Sequence, residues 1–342
     1  MSTPNRNRRH TSLVALPDAA VSTLFGVFDV INGIGLMGGP ASAEPAGSTT
    51  FEIEIVGETA GQLELASGVP ITVQRTVDSI TTSDLVIVPS IVLGTRGWEK
   101  GRYRRLVEWT HAMHERDAVL CSACSGIFLL AETGLFDGKD ATVHFNYAAT
   151  FAAMYPSVRI HPEQVLVIAG TREELVSSGA STTWHDLVLY LIARFAGAAT
   201  AHHVAHMFAL QWHQDGLAPY IIFEGKTDHG DGAIQSAQEW LARHFSVANP
   251  VEEMIKKSSL AERTFKRRFT TATGLTPIAY VQRLRIEDAK RRLERTDTPV
   301  DEISWRVGYE DAAFFRRLFK RTTGMAPGAY RKRFRIPDFA RT

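Results

Sequence analysis

The chain has 342 residues, 44% apolar and 22% charged, with a formal net charge of +1. That length exceeds one ordinary core and suits two domains, and no apolar run approaches the roughly 18–20 residues of a membrane-spanning helix. Two cysteines, Cys121 and Cys124, exclude a disulfide framework and point to a reducing compartment, the cytoplasm.

The basic leader MSTPNRNRRH, residues 1–10, precedes an apolar run too short for a signal-peptide core and is expected to be a disordered tail. β-rich runs follow at 12–16, 51–56, 85–89, 118–121 and 164–169, with helical patterns between them at 101–115 and 126–133. Alternation of this kind predicts an α/β domain over 11–215, a largely parallel sheet flanked by helices. A further apolar, helix-favouring stretch covers 183–210, and a Gly- and Asp-rich segment, 216–232, reads as a linker.

Charge divides along the same line. Residues 233–342 hold 23 Lys+Arg and 13 Asp+Glu, a balance of +10; the 15 Lys+Arg and 24 Asp+Glu before them give −9. The basic part is expected to meet a polyanion.

Within the first domain, DAVLCSACSGIFLLAETGLFDGKDATVHFNY (117–147) carries the chemistry. A β-run ends near Cys121, a tight turn holds Cys124, and a helix begins about Gly126. A cysteine at such a turn sits at a helix N-terminus, where free N–H groups lower its pKa and cradle an oxyanion; His144 is a candidate base. Together they would make a thiol-dependent amidase or hydrolase. Such a thiol needs a base and an oxyanion site at once, and AAVSTLFGVFDV (19–30) offers no carboxylate before Asp29. Cys121 and Cys124 also spell CxxC, a redox pair in other contexts. His202, His203 and His206 lack further ligands for a metal. No catalytic residue, metal or cofactor is expected.

The elbow pattern is similar to the PfpI-like branch of the class I glutamine amidotransferase-like superfamily over about 12–210. That resemblance implies a ligand pocket faced by Cys124, Ser125 and His144. Two features usual in that superfamily are missing: a glutamate near the first helix, and a glycine pair after strand 85–89, where Ser90-Ile91 stands instead.

Residues 233–335 read as helices only and contain a repeat. PVEEMIKKSSLAERTFKRRFTTATGLTPIAYVQRL starts at Pro250 and PVDEISWRVGYEDAAFFRRLFKRTTGMAPGAYRKRF at Pro299. Pro250/Pro299 and Met254/Ile303 match at an offset of 49; Phe265/Phe315, Phe269/Phe319, Gly274/Gly324 and Tyr280/Tyr330 match at 50. Each copy reads as a short helix (251–257; 300–307), a turn, and a second helix (261–273; 311–323). The second helix puts two phenylalanines on one face and basic side chains, Arg263, Lys266, Arg267 and Arg268 or Arg316, Arg317 and Lys320, on the other. That is the form of a helix that enters the major groove. A basic helix at 281–295 joins the copies, with Lys290 assigned to the DNA backbone.

This all-α domain with two helix-turn-helix units resembles the AraC/XylS family, and GYEDAAFFRRLFKRTTGMAPGAYRKRF is close to that family's signature. The resemblance implies base-facing positions at Ala261, Arg263, Lys266 and Arg267, and at Ala312, Ala313, Arg316 and Arg317. Both domains in this order resemble the GlxA-type subgroup. That implies a regulator, an activator, working as a homodimer on double-stranded promoter DNA with RNA polymerase. Its effector would be a small molecule, an amine or amino-acid-derived metabolite. Residues 336–342 are expected to be a tail. The competing expectations are the Cys124/His144 enzyme and a constitutive DNA-binding dimer without an effector.

Overall fold

A computed structural model describes residues 8–36, 50–95 and 97–337 and divides into two compact units, Met1–Leu217 and Ala218–Thr342. Residues 1–7 of the expected leader and 338–342 of the expected tail lie outside the described residues.

The strands of the first unit are β1 (Arg9–Val14), β2 (Phe51–Gly57), β3 (Gly61–Glu64), β4 (Pro70–Val73), β5 (Arg75–Thr76), β6 (Leu85–Val88), β7 (Val119–Ala123), β8 (Asp140–Ala141), β9 (Arg159–Ile160), β10 (Leu166–Ala169) and β11 (Leu175–Ser178). Seven of them form one sheet in the order β10-β11-β7-β6-β1-β2-β5. Every neighbouring pair is parallel except β10 with β11. All four residues of β6, Leu-Val-Ile-Val, are buried, the apolar pattern of a strand covered on both faces. The helices are α1 (Val21–Leu36), α2 (Arg104–Glu115), α3 (Ile127–Ala131), α4 (Ala148–Met154), α5 (Trp184–Ala196) and α6 (Ala198–Met207). α1 packs on α5 and β2, and α2 on α3 and β7. The unit is α/β with a largely parallel sheet, as the alternation predicts.

The first unit differs from the sequence reading in several places. The leader ends sooner: Arg9 and His10 already pair with Phe51 and Glu52, and the His10 ring bonds Glu54 at 2.6 Å. The stretch 183–210 is two helices, because Gly197 takes a φ of 92° between them. β5 and β11 of the main sheet, and the short strands β3, β4, β8 and β9, have no counterpart among the expected strands.

The helices of the second unit are α7 (Gly232–His244), α8 (Pro250–Ser258), α9 (Glu262–Thr273), α10 (Pro277–Arg295), α11 (Val300–Arg306), α12 (Ala312–Thr323) and α13 (Pro327–Phe334). Their ends follow local chemistry. Asp231, Thr276 and Asp311 accept N–H bonds at the starts of α7, α10 and α12, and Gly274 and Gly324 close α9 and α12 with positive φ. α10 begins before the expected 281 because Thr276 caps it and Pro277 occupies its first turn.

The expected linker, 216–232, is divided between the units. The Leu217 N–H donates to the Glu163 carbonyl (2.8 Å) in the first unit. Beyond it the segment is laced to the helical unit: Phe223 packs edge-on to Tyr280 (5.1 Å between ring centroids), and His229 bonds Gln238 (2.7 Å).

Candidate nucleic-acid interface and thiol elbow

In each helix-turn-helix unit the second helix is fixed from its buried side. On α9 Phe265, Phe269 and Ala272 are buried; on α12 Phe315, Leu318 and Phe319 are. The helical period then turns Arg263, Lys266 and Arg267 outward on α9, and Ala313, Arg316 and Arg317 on α12, with Ala312 half-buried. Ala261 is exposed and stands immediately before α9 in an extended conformation. Two of these cations form ion pairs, Lys266 with Glu262 and Arg316 with Asp301. Arg263 and Arg267 form no ion pair among the described residues.

Other basic residues expected on this surface serve the fold. Lys290 is the clearest correction. It is only 4% exposed, and its Nζ donates to the Ile221 carbonyl (2.6 Å) and to Glu287 (3.1 Å). An ammonium held in this way cannot reach a phosphate without leaving a part-buried carbonyl and carboxylate unpaired. Arg268 grips Asp231 through two bonds, 2.9 and 2.7 Å, which ties α9 to the cap of α7. Arg285 is buried on α10.

The start of α12 is set by Asp311, which accepts from the N–H groups of Ala313 (2.8 Å) and Phe314 (2.9 Å). Those donors hold its carboxyl below the usual aspartate range.

In the first unit, β2 lies on one side of β1 and β6 on the other, so the direction in which strands are added to the sheet reverses at β1 while all three strands stay parallel. The carboxyl ends of strands at such a point are where open parallel sheets take ligands. Here the edge is laced by main chain, with the Ala20 N–H on the Ser90 carbonyl (2.8 Å) and the Val92 N–H on the Asp18 carbonyl (2.7 Å). Cys124 stands beside it, just past β7, with a φ of 54° that a non-glycine residue seldom adopts. Gly126 allows the close approach that follows: a Cβ there would lie 2.6 Å from the Val88 and Pro89 carbonyl oxygens.

The thiol is not activated. Burial pushes Cys124 above the ordinary thiol range, against hydrogen bonds with Ser125, Ser181 and Ser90 that pull it down. Thr23 donates to Ser90 (3.0 Å), so hydroxyls occupy the surroundings that a carboxylate would otherwise take. Ser125 corrects a sequence expectation. It is 1% exposed, and its Oγ donates to the Ile91 carbonyl (2.6 Å) and accepts from the Ile91 N–H (2.8 Å), so it braces the elbow instead of facing a ligand. The same bond occupies an N–H that an oxyanion would need.

His144 is half-buried; burial lowers its pKa, and its Nδ1 accepts from the Asn146 N–H (3.2 Å). A neutral ring with Nδ1 accepting carries its proton on Nε2 and has no lone pair left there for a base. Among the described residues no hydrogen bond joins His144 to Cys124. Tyr147 also senses the thiol: its phenol is raised by burial and, less, by Cys124. Sequence reading missed Ser90, Ser181 and Tyr147; the signal for Tyr147 was its place one helical turn after His144. Cys121, inside β7, is pushed up to about 12 by burial.

Residues 254–333 match the helix-turn-helix domain family and residues 25–194 match the DJ-1/PfpI family. The chain is an AraC-type regulator with a DJ-1/PfpI domain. It is similar to the HTH-type transcriptional regulator CdhR of Pseudomonas aeruginosa, 24% identical over 84% of this chain and 85% of CdhR. It is also similar to the HTH-type transcriptional activator RhaS of Salmonella arizonae, 36% identical over 28% of this chain and 34% of RhaS. An AraC family regulator structure from Pseudomonas putida aligns with a TM-score of 0.48 and 17% identity, over 58% of this chain and 99% of that one. The repeat described above is thus the AraC-type half, and the elbow lies in the DJ-1/PfpI half. Among the described residues no helix is long and apolar enough to cross a membrane.

Proposed function

We propose that this AraC-type regulator reads promoter DNA with α9 and α12 and activates transcription when a small-molecule effector occupies the elbow region of its first unit. It works as a homodimer in the cytoplasm, in contact with RNA polymerase, and performs no catalysis of its own. The observation that carries the reading is the pair of second helices built to one plan, each buried through phenylalanines and each presenting arginines outward. Arg263, Lys266 and Arg267 on α9, with Arg316 and Arg317 on α12, are the proposed base and phosphate contacts, since arginine pairs with guanine in the major groove. Ala261, Ala312 and Ala313 have no donor to offer and suit contact with a thymine methyl.

An effector role for the elbow rests on its position at the sheet's reversal point and on its chemistry. The unactivated thiol, the occupied Ile91 N–H and the bound Nδ1 of His144 argue against acyl transfer. Cys124, Tyr147 and His144 remain as groups that recognise a ligand without reacting with it.

The test is a thermal-shift screen of the full chain, led by amines and amino-acid-derived compounds, followed by DNA affinity with and without each stabilising compound. A true effector changes DNA affinity by about 5–150-fold, the usual span of coupling between sites. Stabilising compounds that leave DNA affinity unchanged would remove the effector from the account. Affinity that does not fall with rising salt would remove the DNA contact.

A further inference from the structure

The helical unit holds two separate apolar cores. One joins α7, α8 and α9 to Tyr280 and Val281 of α10; the other joins α11, α12 and α13 to Ile286, Ala289 and Leu293 of the same helix. The first half of α10 therefore belongs to one reader and its second half to the other. Arg285 sits at the join, 7% exposed.

Its guanidinium holds three carbonyls from both sides. Nε donates to Phe245 (2.7 Å) and Nη2 to Val247 (2.8 Å), at and just beyond the end of α7. Nη1 donates to Gly308 (2.7 Å), in the turn between α11 and α12. Its Cζ lies over the Tyr309 ring, 5.0 Å from the centroid, and no carboxylate pairs with the guanidinium among the described residues. Gly308 has a φ of 96°, and a Cβ there would stand 2.6 Å from the Ser246 carbonyl oxygen and 2.8 Å from Arg285 Cζ. Three segments thus meet at one buried cation. Burying a guanidinium without a counter-ion is costly, and here the cost is offset by charge-assisted bonds that tie the two readers together.

We infer that Arg285 is a positioning residue that fixes the separation and angle of α9 and α12, so that the chain accepts its two subsites at only one spacing. This rests on the DNA-binding reading above. One added base pair turns the second subsite by roughly 34° and moves it by about 3.4 Å. A rigid pair of readers then loses one set of contacts, whereas a loose pair keeps both.

Two measurements on the full chain test it. Without DNA, spin labels on Thr270→Cys and Arg321→Cys, both exposed positions, report the α9–α12 distance by double electron–electron resonance. The expected result is one narrow distribution that broadens in Arg285→Lys, which cannot span three carbonyls, and broadens further in Arg285→Met. An unchanged distribution in Arg285→Lys overturns the inference, and this variant decides alone if Arg285→Met fails to fold. With DNA, a duplex selected by the unmodified chain from a random pool is remade with one base pair inserted between the subsites. The unmodified chain loses about tenfold or more, and Arg285→Lys under about threefold; equal losses overturn the inference. If no sequence is selected, the DNA reading fails, and the distance measurement still decides the role of Arg285.

Discussion

An exposed guanidinium keeps its hydration until DNA replaces it, whereas a buried one already has its donors committed to the fold. Arg263 and Arg267 are of the first kind. Replacing either with Ala should cost about 1–3 kcal/mol on a selected duplex and relax base preference locally, with melting temperature unchanged. Lys290→Ala should do the reverse. It strands the Ile221 carbonyl and Glu287, so it lowers melting temperature by the equivalent of about 1–3 kcal/mol. Thermal unfolding and anisotropy on both variants separate the two outcomes; a Lys290→Ala protein that melts normally and binds weakly contradicts the assignment. The charge of Lys290 was legible in the sequence, but its burial was not, because its carbonyl partner lies 69 residues away. Cys124 behaves similarly: the turn was legible, the hydroxyls around the thiol were not. Since burial raises its pKa, the thiolate forms only above the ordinary cysteine range. Alkylation of Cys124 followed by mass spectrometry should be slow at pH 7 and accelerate only in strongly alkaline buffer; rapid labelling at pH 7 would restore the nucleophile reading. On the same reasoning, Cys124→Ser should keep effector-dependent reporter output, while Cys124→Trp should abolish it with DNA binding intact.

Elements were easiest to read where period and caps agreed. The Phe265/Phe269 and Phe315/Phe319 spacings placed α9 and α12 to within a residue or two, because both the buried face and the closing glycine recur in each copy. β11 was hidden for the opposite reason. Only Leu175 and Val176 are apolar in it, and Ser177 and Ser178 are buried through bonds with the Thr142 N–H and the Ser122 carbonyl, partners that no local pattern reveals. The cap of α12 gives a pH prediction. Asp311 is held below its ordinary range by the Phe314 and Ala313 N–H donors, so its contribution is present above the unfolded aspartate value and is lost as pH falls through the lower folded value. Asp311→Ala should therefore melt earlier than the unmodified chain at pH 7, and the gap should close under strongly acidic conditions. A gap that stays constant across that range would mean that the side chain stabilises α12 by something other than its charge.

At the scale of the whole molecule, charge and core follow one division. The balance of −9 before residue 233 and +10 after it confines attraction for a polyanion to the helical unit. The two-domain order was legible from the repeat and the elbow. The place of the boundary was not, because 218–231 carries no helix or strand and is bound to the helical unit through side chains such as Asp231 with Arg268. The salt response of the full chain should be steep, with log K falling about 0.9 per phosphate neutralised. On the proposed function, one chain reads two subsites of one duplex. A hydroxyl-radical footprint of the full chain on a duplex that it selects from a random pool tests that claim most directly. The predicted result is two protected patches for each protomer bound, on one face and about 10 base pairs apart, of which Arg263→Ala or Arg267→Ala weakens one and leaves the other. A single patch, or uniform protection of any duplex, would contradict it.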